Sequence, residues 1–512
     1  MIEDIVTKLT PGYAVAGVVA FGILVNILVR LHYDYKVRRA GGVHAPKLCS
    51  NSLTALPWLY KIGMAQANNR LLSLFQSVLS TMTTAAYPNT TEINVTGGQR
   101  YIMTTEPEHI KTVLTGKFAD YGKGPEFHDV WKPFLGDSIF TTDKQLWQDS
   151  RNLIRPMFMK NRVSDLEIFE RWTSIMIDQF PASGQTFDSM DLFYRMTIDV
   201  ITEFLLGHSV DSLRHPSSDF VEAFSSVQRW QMMLTVLIPI EKAIPRGKYQ
   251  KGIKVIEDFI TPFITRTLAL PSEELQKLSK SEKSFTFLHA LANYTRDPKV
   301  IRDQLIAVLL AGRDTTAATL SWTMYELAHY PATYQKLREE VMSVVGPDRT
   351  PTYDDLKNLK YLNHTLNEAL RLYPAVPFNI RQALSDTSLP SNDPSIPDIS
   401  IVKGDQIIYS TMAMQRREDL YPPTSEKFAP PHMFSPERWE HWQPRPWQYV
   451  PFNGGPRICV GQNFALTEMA YVMVRIVQRF SRVEYRGDWE DQFHKVEIVG
   501  CPGQGVPIAL FE

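Results

Sequence analysis

The chain has 512 residues and a formal net charge of -1, and 44% of its residues are hydrophobic. This composition is typical of a globular protein and excludes a disordered or fibrous chain. A charge so close to zero provides no basic face or tail, so it gives no support for a nucleic-acid partner.

The N-terminal segment predicts a membrane anchor. From Tyr13 to Val29 the chain is uncharged, and Asn26 is the only strongly polar residue. This length is at the short end of the roughly 17–25 residues that span a bilayer. The segment is apolar on all sides, unlike a core helix, and basic residues follow it rather than precede it, unlike a signal peptide. Because the basic residues lie between Arg30 and Arg39, the rest of the chain is expected in the cytosol.

The first part of the remaining chain predicts a hairpin and then helices. Glu92–Val95 and Arg100–Thr104 flank Gly97-Gly98, which is typical of a β-hairpin. Apolar residues spaced through 190–204 predict one buried helix face. Residues 304–330 predict a single long helix, and Pro331 either ends it or opens the next helix.

A second hairpin is expected near the C-terminal third, where residues 399–402 and 406–409 flank Lys403-Gly404-Asp405. None of these connections has the composition of a domain linker. Although the length alone suggests two or three domains, we therefore expect one large, mainly α domain with small β-sheets.

The three cysteines, Cys49, Cys459 and Cys501, are too few and too scattered for a disulfide framework. They fit a catalytic domain in a reducing compartment. The sequence contains no CxxC pair and no HExxH run, so a structural zinc site or a zinc protease has no support.

One cysteine lies in a glycine-rich loop directly before a helical run. Residues 452–461 have the sequence F-N-G-G-P-R-I-C-V-G, and the helical pattern of residues 462–480 follows. A helix N-terminus favours negative charge, so Cys459 is expected as a thiolate, the form that binds metal. Gly455 and Gly461 allow close approach of the backbone to the sulfur and to a flat cofactor. The alternative is a buried structural cysteine on a turn.

The full pattern F-x-x-G-x-R-x-C-x-G is a highly specific signature, and the chain resembles the cytochrome P450 family from its anchor to its C-terminus. The resemblance implies that Cys459 is the metal ligand, the axial thiolate of haem b (iron protoporphyrin IX). Phe452 is then expected near the sulfur, Gly461 beside the cofactor, and Arg457 on a haem propionate.

The resemblance also implies three segments along the chain. Residues 1–31 form the membrane anchor, 32–60 a basic hinge with Pro and Gly, and 61–512 the haem-thiolate catalytic domain. Trp147 and Arg151, in a W-x-x-x-R motif, and Arg381 are expected to bind the propionates, a task suited to the always-charged guanidinium. For each of them a plain core or surface role is the alternative.

Residues 311–316, A-G-R-D-T-T, match the oxygen-activating helix of the family. Small residues at Ala311 and Gly312 are expected to leave room for dioxygen. A threonine in mid-helix can bond back to an earlier carbonyl. The resemblance implies that Asp314 and Thr315 are the catalytic pair that delivers protons during oxygen activation.

Two further motifs imply a structural ion network. Glu368 and Arg371 form the family's E-x-x-R, on one helix face, and Arg438 in P-E-R-W is expected to join them. Gln415 departs from the pattern, because relatives often have histidine there. The proline-rich segment 421–433 is longer than usual, which affects the local loop but not the haem site.

The motif set is similar to that of fungal, membrane-bound members that hydroxylate n-alkanes and fatty acids at the chain end. It implies a monooxygenase that inserts one atom of O2 into a lipophilic substrate, with terminal hydroxylation of such chains as the leading case. The alternatives are oxidative tailoring of a fungal secondary metabolite (a terpenoid or polyketide) and an oxygen-independent haem-thiolate isomerase or dehydratase.

Only about fifty residues follow Cys459, too few for a flavin domain. The resemblance implies an NADPH–haemoprotein reductase as electron donor, so NADPH acts only indirectly, and cytochrome b5 is a further candidate donor. The expected location is the endoplasmic reticulum membrane, with a single pass in the lipid and the catalytic domain in the cytosol. A basic cluster is expected to attract the reductase, formed by Lys144, Arg151, Arg155, Lys160 and Arg162.

Overall fold

The computed structural model describes residues 11–49, 52–82, 84–94, 100–159, 166–279 and 285–512. It is mainly helical with small β-sheets. The helices are α1 Pro11–Arg39, α2 Ser52–Ala67, α3 Leu71–Met82, α4 Pro107–Lys111, α5 Gly124–Leu135, α6 Lys144–Ile154, α7 Glu167–Asp178, α8 Ser189–Leu206, α9 Asp219–Val236, α10 Gly247–Ala269, α11 Ser272–Ser279, α12 Phe287–Tyr294, α13 Pro298–His329, α14 Pro331–Val344, α15 Tyr353–Asn358, α16 Lys360–Leu372, α17 Thr411–Met414, α18 Arg438–His441 and α19 Gln462–Arg479.

The strands are short. They are β1 Lys47–Cys49, β2 Thr90–Asn94, β3 Arg100–Thr104, β4 Tyr121–Gly122, β5 Thr186–Asp188, β6 Asn379–Ala383, β7 Thr387–Leu389, β8 Ile399–Ile401, β9 Gln406–Tyr409, β10 Arg482–Tyr485, β11 His494–Val496, β12 Gly500–Pro502 and β13 Pro507–Phe511. The chain divides into two compact units: residues 1–122 with 380–409, and residues 123–379 with 410–512.

The first unit is built on a six-stranded sheet of order β1-β2-β3-β9-β6-β4. The first predicted hairpin is confirmed, because β2 and β3 pair antiparallel from Thr90 opposite Thr104 to Asn94 opposite Arg100. The turn itself, residues 95–99, lies outside the described residues. Buried apolar side chains from this sheet and from the β7-β8 pair form a core cluster of this unit, in which Ile102, Ile401 and Ile407 are fully buried.

The second predicted hairpin is wrong. Strand β8 pairs with β7, whereas β9 pairs in parallel with β3. The turn between them is held by Asp405, whose carboxylate accepts from the backbone N–H of Val402 at 2.9 Å and from Arg100 at 2.8 Å. Because Arg100 is fully buried on β3 and needs this partner, the turn directs β9 to β3 instead of back to β8.

The N-terminal helix α1 contains a stretch, Ala16–Arg39, that is long and apolar enough to cross a membrane. None of its most apolar window is buried within the protein. The helix runs without a break into the basic residues that follow the apolar segment, and it ends just before Gly41, whose φ of +78° is left-handed.

The second unit has the long helix α13 at its centre. The helix begins six residues before the predicted start, because the carboxylate of Asp297 accepts from the N–H of Lys299 at 2.8 Å and Pro298 occupies the first helical position. It ends at His329, next to Pro331, as predicted. The predicted apolar face of α8 is also confirmed, since Phe193, Met196, Val200 and Ile201 are buried.

Candidate functional site

The cysteine loop forms a tight turn that leads into α19. The backbone N–H of Cys459 donates to the carbonyl of Phe452 at 2.9 Å, which closes the loop on itself. Asn453 and Gly455 both have φ of 64°, the left-handed conformation that favours glycine. Gly461 is the N-cap of α19 and has an ordinary backbone. The sequence therefore places the cysteine just before a helix N-terminus, as predicted.

Cys459 lines a cavity of about 490 Å³. Desolvation raises the pKa of the thiol, and the N–H of Gly461 and the charge of Arg151 offset this only in part. The N–H of Gly461 and the charge of Arg151 thus lower the thiol pKa less than burial raises it, and the thiolate form of Cys459 stays a prediction. A bound metal ion deprotonates a coordinating thiol outright, so ligation itself supplies the missing stabilisation.

Helix α6 brings predicted residues to the same cavity. Arg151 donates to the carbonyl of Ile458 at 2.9 Å, so it touches the residue before the cysteine. Arg457 forms an ion pair with Asp143 at 2.6 Å. The ring of Trp147 lies near both guanidinium groups, 4.7 Å from Arg457 and 5.8 Å from Arg151. Trp147, Arg151 and Cys459 line the cavity together.

Arg381 belongs to the other unit. It lies on β6, is buried, and donates to the carbonyl of Ile380 at 2.8 Å. Its role at a propionate stays a prediction.

On α13 the motif residues face two directions. Ala311 and Thr315 are partly exposed and lie one turn apart, and the Thr315 hydroxyl donates to the Ala311 carbonyl at 2.7 Å, the back-bond that was predicted. Gly312 instead faces helix α8, where a side chain at this position would collide with Ile201. This glycine therefore serves helix packing, and the room for dioxygen stays a prediction.

Asp314 is buried on the flank of the same helix. Its carboxylate lies 3.3 Å from the guanidinium of Arg313. Burial raises the pKa of Asp314, which the charge of Arg313 opposes. A carboxyl with a raised pKa can hold a proton closer to neutral pH, as a general acid requires.

A family model described as Cytochrome P450 matches residues 89–504 of the chain. The chain belongs to the cytochrome P450 family. It is 42% identical to "Cytochrome P450 monooxygenase pvhE" of Talaromyces variabilis, over 99% of this chain and 97% of that protein. It is 37% identical to "Cytochrome P450 52E1" of Candida apicola, over 93% of each chain. It is 34% identical to "Cytochrome P450 52A13" of Debaryomyces hansenii, over 100% of this chain and 99% of that one.

The fold agrees with this membership. The crystal structure of the cytochrome P450DA heme domain superposes with a TM-score of 0.71 at 19% identity, over 87% of this chain and 92% of that chain. As a cytochrome P450, the protein is a haem-dependent monooxygenase that receives its electrons from a reductase. The residues around the cavity fit that cofactor, because a soft sulfur donor and cationic side chains suit iron and carboxylates respectively.

The predicted ion network of this cytochrome P450 lies behind the cysteine loop. Glu368 accepts two hydrogen bonds from Arg371, at 2.7 and 2.8 Å, and lies 3.4 Å from Arg438. All three side chains are fully buried. Arg371 also donates to the carbonyl of Pro431 at 2.6 Å, and Arg438 to that of Ala429 at 2.8 Å. The network therefore fixes the proline-rich segment by its backbone.

Gln415, which the sequence marked only as a departure, has a definite task. Its amide nitrogen donates to the carbonyls of Leu370 and Arg371 at 3.2 and 3.0 Å, at the end of α16. Its amide oxygen accepts from the N–H of Val450 at 2.8 Å. It thus connects the helix of the ion network to the segment that leads into the cysteine loop. No motif could have identified this role, since it depends on distant backbone atoms.

Proposed function

We propose that Cys459 is the thiolate ligand of the haem iron. The observation that carries this proposal is that Cys459 lines a cavity together with Trp147 and Arg151. Haem, when bound, supplies the oxygen activation that places one atom of O2 in the substrate and releases the other as water. The thiolate donates electron density to the iron, which favours O–O cleavage.

Cations around the cavity hold the carboxylates of the cofactor in this proposal. Arg151 lines the cavity beside Cys459, and Arg457 lies two residues before Cys459 and is paired with Asp143. Their guanidinium groups suit bidentate binding of carboxylates. Trp147 between them keeps both side chains in place by ring contact. Arg381 is proposed as a further propionate ligand on the strength of the resemblance alone.

Asp314 and Thr315 are proposed as the proton-delivering pair. Asp314 is buried and has a raised pKa, so it can keep a proton where water is scarce. The Thr315 hydroxyl donates to the Ala311 carbonyl, which leaves its oxygen lone pairs available to accept a proton or to hold a water. Together the two side chains can pass protons along α13.

The substrate is proposed to be a lipophilic chain, oxidised at its end as in n-alkane and fatty-acid hydroxylation. One turn beyond Thr315, Ala318 packs with Ala375 and Val499 in an apolar cluster. Val376, which follows in sequence, is 38% exposed. Small and branched apolar side chains of this kind suit a narrow, apolar pocket.

The protein is proposed to lie in the endoplasmic reticulum membrane with its catalytic part in the cytosol. The apolar stretch of α1 followed by basic residues supports this orientation. An NADPH–haemoprotein reductase is proposed as the donor, with cytochrome b5 as a second one. Lys144 and Arg155 are exposed near the cavity that Cys459 borders, where they can attract an acidic partner. Lys160 and Arg162 of the predicted cluster lie outside the described residues.

The proposal is tested with the purified full-length protein in lipid nanodiscs. Alkanes and fatty acids of graded length, and a terpenoid and polyketide set, are titrated while the haem spectrum is followed. The products formed with reductase, NADPH and labelled dioxygen are then identified. We expect chain lipids to bind and to yield a labelled terminal alcohol.

Three outcomes decide between the alternatives. No response to any chain lipid contradicts the proposed substrate, and a response confined to terpenoids or polyketides establishes the tailoring role instead. Product formation without dioxygen or reductase, unaffected by Thr315→Ala, establishes an isomerase or dehydratase.

A further inference from the structure

Arg313 occupies the position of the oxygen-activating motif that the family pattern leaves open. It is 6% exposed, so a full positive charge lies inside the protein. Its guanidinium lies 5.5 Å from the ring centre of Tyr194 and 5.7 Å from that of Phe224. It also donates to the hydroxyl of Ser225 at 3.1 Å. Helices α8 and α9 thus hold the side chain from two sides, which fixes its charge in space.

The partner of this fixed charge is Asp314. One guanidinium nitrogen lies 3.3 Å from its Oδ1. Adjacent residues of a helix do not normally face each other, so this contact exists because the ring and hydroxyl contacts turn the Arg313 side chain toward Asp314. The contacts with α8 and α9 therefore hold a buried cation against Asp314, the proposed proton donor.

The groups that face Asp314 come from five parts of the chain. Arg313 lies on the same helix, α13, and its charge lowers the pKa of the Asp314 carboxyl. A hydrogen bond with Gln228 on α9 lowers this pKa as well. The charge of Glu497, beside β11, raises the pKa of Asp314. Burial raises the pKa of Tyr194 on α8 far above its ordinary range and that of Cys501 on β12 to about 11. Both are therefore neutral near pH 7. The charges that act on Asp314 are those of Arg313 and Glu497, and Glu497 is itself paired with Lys495 at 2.9 Å.

We propose that Arg313 is a positioning residue that holds the Asp314 carboxyl in place and sets the pH range in which it takes up and releases its proton. The inference rests on the proposed role of Asp314 as proton donor. A buried carboxyl with no cation nearby stays protonated and cannot be deprotonated and reprotonated in each turnover. A cation in direct contact stabilises the charged form enough for the proton to leave and return.

The test is an infrared titration of the haem-loaded, full-length protein in nanodiscs. The carboxylic-acid C=O band that disappears in Asp314→Asn belongs to this side chain, and its pH midpoint is followed in each variant. We expect Arg313→Gln to move the midpoint upward by at least about 1 pH unit, because an adjacent opposite charge typically lowers a carboxyl pKa by about 1–3 units. Arg313→Lys keeps the charge and is expected to leave the midpoint near that of the wild type.

A smaller change covers the case in which Arg313→Gln does not fold. Ser225→Ala removes only the hydroxyl anchor, and we expect an upward shift of the same sign but smaller size. An unchanged midpoint in Arg313→Gln, or in Ser225→Ala when the first variant is unfolded, overturns the inference. A midpoint in Arg313→Lys that moves as far as in Arg313→Gln also overturns the inference, since the charge is then not the cause.

A second measurement links the titration to turnover. The fraction of consumed NADPH that appears as product is measured against pH, and its midpoint is expected to move with the infrared midpoint in Arg313→Gln. An infrared shift with no change in this profile contradicts the proposed role of Asp314 as proton donor while leaving the positioning by Arg313 intact. The two failures are therefore distinguishable.

Discussion

Gly312 of α13 lies directly against Ile201 of α8. A Cβ at residue 312 would stand 2.5 Å from Ile201 Cδ1 and 2.7 Å from its Cγ1, distances that real side chains do not adopt. The glycine therefore allows the closest approach between the oxygen-activating helix and its neighbour. Glycine in the middle of a helix costs about 1 kcal/mol relative to alanine. Glycine stands at this position because a side chain would collide with Ile201.

Gly312→Ala is expected to destabilise the protein despite the better helix propensity of alanine. Overpacking of a filled core costs about 1–3 kcal/mol, which outweighs the gain of about 1 kcal/mol. The thermal unfolding midpoint is measured for Gly312→Ala and for Gly312→Ala with Ile201→Val. Since the second change removes the Cδ1 atom, the double variant should recover part of the loss. A single variant as stable as the wild type would falsify this explanation.

Arg371→Ala is expected to cost about 3–5 kcal/mol of stability, because it leaves the carboxylate of Glu368 buried without its principal partner. The control is Arg349→Ala, which breaks an ion pair with Asp355 at 2.6 Å in which the arginine side chain is 48% exposed. An exposed pair contributes little to stability, because water screens it. The free energy of unfolding and the haem content of both variants are compared, and equal losses would contradict a structural role specific to the buried network.

Because of Glu326, we expect the stability of the folded protein to fall as the pH rises. It is buried, accepts a hydrogen bond from the Tyr373 hydroxyl at 2.5 Å, and burial raises its pKa to about 7 from an ordinary 4.5. The folded state thus binds the proton more tightly than the unfolded chain. The resulting stability is fully present below about pH 4.5 and is lost as the pH rises through about 7, a contribution of up to roughly 3 kcal/mol.

Glu326→Gln removes this pH dependence, because glutamine is neutral throughout. Unfolding midpoints are measured at about pH 5 and about pH 8, with the exposed Glu108→Gln as control. We expect Glu326→Gln to gain stability relative to the wild type only at the higher pH, and the control to show no such difference. The same difference at both pH values would contradict a titration of Glu326 between these two pH values in the folded protein.

The parts that could be predicted from sequence are those with local causes. The cysteine loop, the long helix and the Glu368–Arg371 pair depend on residues a few positions apart, so short patterns reveal them. The second hairpin was predicted wrongly because the partner of β9 is set by Arg100, far away in the chain, through its bond to Asp405.

The contacts of single side chains within the site were harder to predict from the sequence. Gly312 belongs to a motif from which room for dioxygen was predicted, whereas its packing against Ile201 has no signal in the sequence. Gln415 and Arg313 act through backbone carbonyls and aromatic rings that only the folded chain brings to them. Their partners are separated by tens of residues, and no spacing in the sequence encodes such contacts.

The central claim is that the sulfur of Cys459 binds the haem iron as a thiolate. The most direct measurement is the absorption spectrum of the reduced, carbon monoxide-treated protein, recorded for the wild type, Cys459→Ala and the control Cys49→Ala. Cys49 is buried on β1, away from the cysteine loop in sequence. We predict the red-shifted Soret band of thiolate ligation in the wild type and in Cys49→Ala, and its loss in Cys459→Ala. A band that persists in Cys459→Ala, or that the wild type lacks, would contradict the assignment.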